Sequence, residues 1–318
     1  MLYNLLPEKA FYIAMVVGAA ALCWILLALF KNKLPRDQGR EFAFNGKLSA
    51  GKVRGAGIIF VISFIIVSLL FVPFSLESVF YYVLIFFGML SGYLDDRAEK
   101  PWGEYKKGII DLVIAVLTAA NFVYFNPELT SISFFGMSAV INKYVFGAIA
   151  TLLVWLLINA TNCSDGIDGF CGSLSSVSMI SIAVAGYFMG MDKDTILMIV
   201  IMLVTLMPYL WRNSEPSTML MGDAGSRALG LFLCICILKT GNILLATPLC
   251  FMLSLDGLLG ILKIALIRFL KMKNALKNIR TPLHDHFRKN KGWSNSQVIF
   301  RFCMIQALIS AVTVLGLK

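Results

Sequence analysis

Charge is scarce in this chain. Only 14% of its 318 residues are Asp, Glu, Lys or Arg, where a soluble globular domain carries about a quarter, and the mean hydropathy is +0.80. A water-soluble fold is thereby excluded. Histidine is nearly absent, with two residues, and the seven cysteines include no CxxC pair. Most cysteines, such as Cys23, Cys234, Cys236 and Cys250, fall in apolar stretches and read as core-filling thiols, with no disulfide framework and no zinc spacing. The GxxxxGK[ST] string of a P-loop is missing too, so GKVRGAG at 51–57 reads as small residues for helix packing with two cations among them. No repeats or low-complexity segments are present.

Apolar runs instead recur along the whole length. A membrane span needs about 20 mainly apolar residues, and ten candidates are present: 10–30, 55–74, 77–94, 108–125, 144–163, 171–190, 194–211, 226–239, 242–270 and 295–316. The expected fold is all-α, one polytopic integral membrane domain over 1–318. The first run is too long for a signal-peptide core and has no basic segment before it, so it is expected to be a mature helix. The eighth run is short. The ninth is longer than a bilayer needs, which predicts a tilt, a kink or an extension into water. Outside the spans, LTSISFFGMSAVIN at 129–142 predicts a small hairpin around Gly136.

The excess of ten positive charges reads as topology before it reads as nucleic-acid binding. Assigning alternate connections to two sides puts 23 of 28 Lys and Arg on one of them; the other receives only Lys9, Lys143, Lys193, Lys239 and Lys318. The positive-inside rule makes the rich side cytoplasmic and, with an even number of spans, places both termini outside.

On this topology Asp95, Asp96, Asp165, Asp168, Asp223 and Asp285 all fall at the cytoplasmic mouth, although some 190 residues separate the first from the last. Asp95 and Asp96 end the third run, at a helix C-terminus where the macrodipole disfavours negative charge, so something cationic must compensate; the alternative to a functional pair is a solvated loop start paired with Lys100, Lys106 or Lys107. Helical neighbours point about 100° apart. One carboxylate can therefore face a metal or substrate while the other acts as base or orienter. In NATNCSDGIDG, Asn159, Asn162, Asp165 and Asp168 recur at three-residue intervals and can line one wall of a pocket for a sugar, a uracil or a hydrated cation; the alternative is a polar turn with side-chain caps. Asn213 and Asp223 bracket the turn at Pro216, and Asp223 is either a metal ligand or a helix cap. His284 and His286 flank Asp285 in a basic connection with Arg280, Arg288, Lys289 and Lys291, and suit phosphate oxygens or a lipid-headgroup patch. Within the spans, Asp111 and Asp256 must face protein or a water-filled cleft. Carboxylates able to hold a divalent cation, cations able to hold phosphates, and a lipid-facing body together suit phosphoryl transfer onto a membrane-embedded acceptor.

The strings LDDRAEK, NATNCSDGIDG, MGDAGSRALG and PLHDHFRKNKGW, in this order, resemble the polyprenyl-phosphate N-acetylhexosamine-1-phosphate transferases, in their phospho-N-acetylmuramoyl-pentapeptide transferase (MraY) branch. The resemblance spans about residues 50 to 305. It implies transfer of phospho-MurNAc-pentapeptide from UDP-MurNAc-pentapeptide to undecaprenyl phosphate with Mg²⁺, giving lipid I and UMP, by a homodimer in the bacterial plasma membrane. It also implies roles for residues. Asp95 and Asp96 match the paired catalytic aspartates, the first as the base toward the lipid phosphate, and Asp223 matches the catalytic, Mg²⁺-binding aspartate. Lys107, Asn159, Asn162, Asp165, Asp168, Asn213, His284, Asp285 and His286 match substrate-binding positions. Three differences stand out: Asp285 replaces a middle histidine, GKVRGAG replaces GTPTMGG, and Leu220 lies where an aromatic residue often stacks on uracil. Lys47 and Lys52 both suit the lysine that precedes the glycine segment. The nearest alternative is a sister transferase that takes UDP-GlcNAc or another UDP-HexNAc, against which the PLHxHF, KGW and RF strings near 282–302 weigh. A different class, a secondary transporter, would place its key charges near the bilayer midplane.

Overall fold

The computed structural model describes residues 6–39, 49–134, 137–272, 274 and 276–317. Lys47 lies outside the described residues. Twelve helices and one hairpin make up the described chain. The long helices are α1 (Glu8–Phe30), α2 (Gly57–Phe71), α3 (Leu76–Arg97), α4 (Glu104–Phe125), α5 (Lys143–Ser164), α6 (Phe170–Met189), α7 (Lys193–Asn213), α8 (Gly222–Lys239), α10 (Phe251–Arg268) and α12 (Asn295–Leu315); α9 (Ala246–Leu249) and α11 (Leu283–Lys291) are short. Strands β1 (Ser131–Phe134) and β2 (Met137–Val140) pair antiparallel, with Ser131 opposite Val140.

Each of the ten apolar runs contains helix, and the starts carry local reasons. Ser75 caps α3 by accepting the Ser78 N–H, Asp192 caps α7 by accepting the Thr195 N–H, and Ser294 and Gln297 close a reciprocal capping box on α12. Seven helices are long and apolar enough to cross a membrane, or eight if a broken ninth run counts as one. That ninth run is Ile243–Leu249 followed by α10, bent by 91° at the break, so its surplus length is spent on a change of direction. The two remaining runs fall short for different reasons. α2 has 15 residues, and α8 carries Asp223, Arg227 and Lys239.

The burial of α8 explains how it tolerates those charges. Every residue of it but Lys239 is buried, because α3, α5, α2 and α6 pack around it. It is the central post of the bundle and meets little lipid. Arg227 is only 2% exposed and is held by Asp111 of α4, which accepts from both its Nε (3.0 Å) and its Nη2. The expected placement of Asp111 against protein is thus met by an internal partner, and the Arg227 Nη2 also reaches the Lys107 carbonyl. Breaking a buried pair leaves an uncompensated charge, at a cost of about 3–5 kcal/mol. Arg227→Met is therefore expected to lower the thermal unfolding midpoint sharply and to broaden the size-exclusion peak in detergent, whereas Arg227→Met combined with Asp111→Leu recovers much of the loss.

Polar networks tie the bundle at both ends. At one, Lys239 ends α8 and pairs with Glu77 of α3 (3.0 Å) and Asp192 before α7 (3.3 Å), while Asn126 after α4 accepts from the same ammonium (2.9 Å). The other end collects the Lys- and Arg-rich connections and the aspartates.

Candidate functional site

Two backbone segments frame this second end. The chain before α2 bridges Arg36 with Val53 and then Val53 with Met219, and the Leu220 N–H donates to the Val53 carbonyl (2.7 Å) while the Ala56 N–H donates to Leu220 (3.0 Å). GKVRGAG is thereby pressed against the turn that leads into α8, which carries Lys52 and Arg54 into the aspartate cluster. Reading this segment as helix packing missed Arg54, while Lys52 is the one of the two lysines suited to the position before the glycine segment that lies among the described residues. The two cations inside an otherwise small-residue string were the available signal. Leu220 belongs to the same backbone bridge.

Adjacent carboxylates at the end of α3 divide as helical geometry requires. Asp95, 5% exposed, accepts the Trp102 N–H (2.6 Å) and an ion pair from Lys107 of α4. Asp96 turns instead to the first turn of α8, where it accepts the backbone N–H groups of Asp223 and Ala224, both at 3.1 Å. A carboxylate there answers the positive end of the helix macrodipole and satisfies two orphan donors. Gly222 makes the approach possible: its φ is +67° and a Cβ on it would overlap the Asp96 carboxylate. Asp96 thus holds the platform on which Asp223 stands.

Asp223 is the hub. Its Oδ2 accepts from Lys107 (3.0 Å) and its Oδ1 lies 3.6 Å from the Arg54 Nη2, so two cations flank one carboxylate. Arg54 also donates to Asp96 through Nε (2.8 Å) and to Asp37 through Nη1 (3.0 Å). Asp37, a further residue that sequence reasoning passed over, has a fully buried side chain and also accepts from the Ser49 hydroxyl (2.5 Å). Burial works against charge on Arg54, but Asp96, Asp223 and Asp37 outweigh it and hold its pKa above the ordinary arginine value. Of the cations expected to compensate the paired aspartates, only Lys107 does so. Lys106 lies over the Trp102 ring, 3.4 Å from its centroid.

Asp95 and Asp223 converge on a single Lys107 ammonium although 128 residues separate them in sequence. Among the described residues no group of three or more His, Cys, Asp or Glu side chains is placed to hold a metal ion. A closed all-protein cage is therefore not what this cluster provides. Two hard carboxylates, with cations beside them for phosphate oxygens, nevertheless fit the way Mg²⁺ is commonly held, through one or two carboxylates plus substrate phosphates.

The loop after α5 forms a second wall. Asp168 pairs with Lys52 (3.0 Å) and accepts the Ser217 N–H (3.0 Å). Asn213 is a buried brace: its Oδ1 accepts the Gly169 N–H (2.8 Å) and its Nδ2 donates to the Met219 carbonyl (2.7 Å). Asn162 donates to the Ser226 hydroxyl of α8 (3.1 Å), and Asp165 caps the C-terminus of α5. Asn159 donates to Trp155 in its own helix (2.8 Å). The four evenly spaced residues thus part: Asp168 joins the wall, Asp165 caps α5, Asn162 meets α8 and Asn159 stays on its own helix.

The histidines also part company. His284, 2% exposed, is held twice by Asp256 of α10: its backbone N–H donates to Oδ1 (2.7 Å) and its Nδ1 lies 2.8 Å from Oδ2, which accepts the Ser164 hydroxyl at 2.8 Å as well. A carboxylate can only accept, so Nδ1 carries the hydrogen and Nε2 faces the Gly166 backbone, where a Cβ would collide with it. Asp285 pairs with Arg288 (3.1 Å), and its Oδ1 is 3.8 Å from the His284 Nε2. His286 accepts the Arg280 N–H (3.3 Å) and is not part of the buried group. Asp256, expected only to avoid lipid, is the residue that orients His284.

An apolar groove of about 610 Å³ flanks Asp256 on the same helix. It is lined by Leu153 and Leu157 of α5 and by Phe251, Leu255, Leu258 and Leu262 of α10. The carboxylate that orients His284 and an open hydrocarbon surface thus share α10.

A family model described as Glycosyl transferase family 4 matches residues 78–241. The chain is 39% identical over 295 residues to a phospho-N-acetylmuramoyl-pentapeptide-transferase of Treponema pallidum, covering 87% of this chain and 81% of that protein. It is 28% identical over 283 residues to one of Dictyoglomus turgidum (85% and 86% covered) and 27% identical over 235 residues to one of Wolbachia (71% and 72% covered). The aspartate-rich ends of α3, α5 and α8 all lie inside the matched segment. This integral membrane chain accordingly belongs to the glycosyl transferase family 4, in its phospho-N-acetylmuramoyl-pentapeptide-transferase branch.

Proposed function

We propose that this protein transfers phospho-MurNAc-pentapeptide from UDP-MurNAc-pentapeptide to undecaprenyl phosphate, yielding lipid I and UMP, with Mg²⁺, at the cytoplasmic face of a bacterial plasma membrane. The observation that carries this reading is the meeting of Asp95, Asp223, Lys107 and Arg54 at one end of a lipid-facing bundle. Phosphoryl transfer is mostly positioning and charge neutralisation, and this cluster offers both.

Asp223 would hold Mg²⁺, which when bound neutralises charge on the donor's diphosphate. Lys107, Arg54 and Lys52 supply fixed positive charge for the phosphate oxygens of donor and acceptor. Asp95 takes the proton of the lipid phosphate. Asp96 contributes indirectly, by fixing the first turn of α8 and with it Asp223. His284, held in one tautomer by Asp256, presents Nε2 toward the loop that carries Asp165 and Asp168, and contacts the donor there. The groove along α5 and α10 receives the polyprenyl chain. A homodimer with both termini outside the cell completes the reading, and residues 1–318 act as a single domain.

The test is UMP release by the purified chain given undecaprenyl phosphate and Mg²⁺, with UDP-MurNAc-pentapeptide and UDP-GlcNAc compared side by side. Release with the pentapeptide donor alone is expected; release with UDP-GlcNAc would move the chain to the sister activity, and release with neither would overturn the transferase reading. Chelation by EDTA should stop turnover, with recovery on added Mg²⁺. Lys52→Gln is expected to raise the donor KM about tenfold with kcat little changed, because its ammonium sits on Asp168 and Ser217 at the wall of the site and away from Asp95.

A further inference from the structure

A second cationic cavity lies on the opposite side of α11 from His284. It measures about 570 Å³ and is lined by Lys263 of α10, by Lys277, Asn278, Ile279 and Arg280 of the connection, and by Lys289 and Asn290 of α11. Five positions on a helix amount to about 140° of rotation, so Lys289 cannot share the buried face of His284. Among the described residues no carboxylate lines the cavity. The two aspartates on the flanking helices are engaged elsewhere, Asp256 with His284 and Ser164 and Asp285 with Arg288. Lys263 is pinned toward the cavity wall by donating to the Ile279 carbonyl (2.7 Å), and neither Lys277 nor Lys289 forms an ion pair among the described residues. Lys277 and Lys289, side by side in one cavity with no ion pair of their own among the described residues, repel one another and call for an anion.

Beside this cavity the chain exposes a hydrocarbon surface. Leu262 and Ile264, on either side of Lys263, are 49% and 46% exposed, and Phe269, Leu270 and Met272 are 82%, 65% and 52% exposed. Large apolar side chains next to clustered lysines are the signature of a segment seated at a charged lipid interface. The pairing of anion cavity and bare apolar surface distinguishes a lipid headgroup from a soluble anion, which needs no hydrocarbon neighbour.

We propose that this cavity binds the phosphodiester headgroup of an acidic phospholipid, whose acyl chains lie along Ile264, Phe269, Leu270 and Met272. The site is separate from the one that carries the transfer reaction. A bound headgroup would tie α10, the 277–280 connection and α11 together, and so steady the helix that presents His284.

The test is native mass spectrometry of the full chain in neutral detergent, titrated with phosphatidylglycerol or phosphatidylcholine. Preferential retention of one phosphatidylglycerol is expected. Lys277→Gln with Lys289→Gln should weaken that retention roughly 25-fold, the product of about fivefold for each lost charge, while Lys277→Arg with Lys289→Arg keeps it. If the double Gln variant does not fold, Lys289→Gln alone should show the fivefold loss. Equal retention by wild type and the Gln variants would overturn the proposal. So would displacement of phosphatidylglycerol by inorganic phosphate at equal concentration, which would mark a site for free anions.

Discussion

Asp223→Asn should lose about three orders of magnitude in kcat, or ~4 kcal/mol of transition-state stabilisation, and keep a native fold. The side chain it changes is the point where Lys107 and Arg54 meet, so an amide there removes the negative charge that gathers both cations and the oxygen offered to Mg²⁺. Asn preserves the volume. The Asp223 backbone N–H can still donate to Asp96, so the start of α8 has no reason to unravel. The check is single-turnover UMP release together with thermal unfolding of the same preparation. Near-wild-type turnover would remove Asp223 from the reaction, and loss of both activity and fold would make it a structural hub only. Asp96→Asn sharpens the contrast, since it weakens the acceptance of two N–H groups by the first turn of α8 and should lower stability along with activity.

The second large effect is expected at Asp256. Asp256→Asn should cost about two orders of magnitude in kcat, because the amide can present its nitrogen to the His284 Nδ1 and so favour the wrong tautomer, the type of loss known where a carboxylate orients a catalytic imidazole. The His284 backbone N–H retains Oδ1 as its acceptor in Asn, and the Ser164 hydroxyl, which shares the Oδ2 position with Nδ1, can turn to accept from the amide nitrogen, so the fold should survive. Asp256 touches neither substrate nor reacting atoms and acts as a positioning residue. A purely structural role would lower stability and leave the pH–rate profile unchanged in shape. A positioning role predicts a shifted profile in Asp256→Asn, partial recovery in Asp256→Glu, and no further loss when His284→Gln is added to Asp256→Asn.

How far the sequence reached differs from residue to residue. The spans were legible because hydrocarbon forces long apolar runs, and nine of the ten match helices within a few residues. The broken ninth was legible only as excess length, since a bend at Cys250 leaves no mark in hydropathy. α8 shows the reverse case: its charges spoil the pattern of a lipid-facing span, and only its burial by four neighbours explains why they are tolerated. The convergence of aspartates at one end followed from assigning alternate connections to two sides. Their partners did not. Lys107 stood as one of three lysines able to compensate Asp95, and nothing local separates it from Lys106, which turns to an aromatic ring instead.

The sequence by itself determined what each stretch is made for: apolar runs that must be helical because lipid satisfies no backbone polar group, and short polar strings that suit phosphate and cation chemistry at their junctions. Tertiary structure alone decided which polar residues face one another. It brought Arg54 from a segment that reads as packing into the aspartate cluster, gave His284 the Asp256 carboxylate, set Asn213 and Asp96 to bracing, and turned His286 away. The physical reason is range. Helix formation and membrane insertion are governed by residues a few positions apart, whereas an ion pair between residues 42 or 116 positions apart exists only once the helices between them have packed.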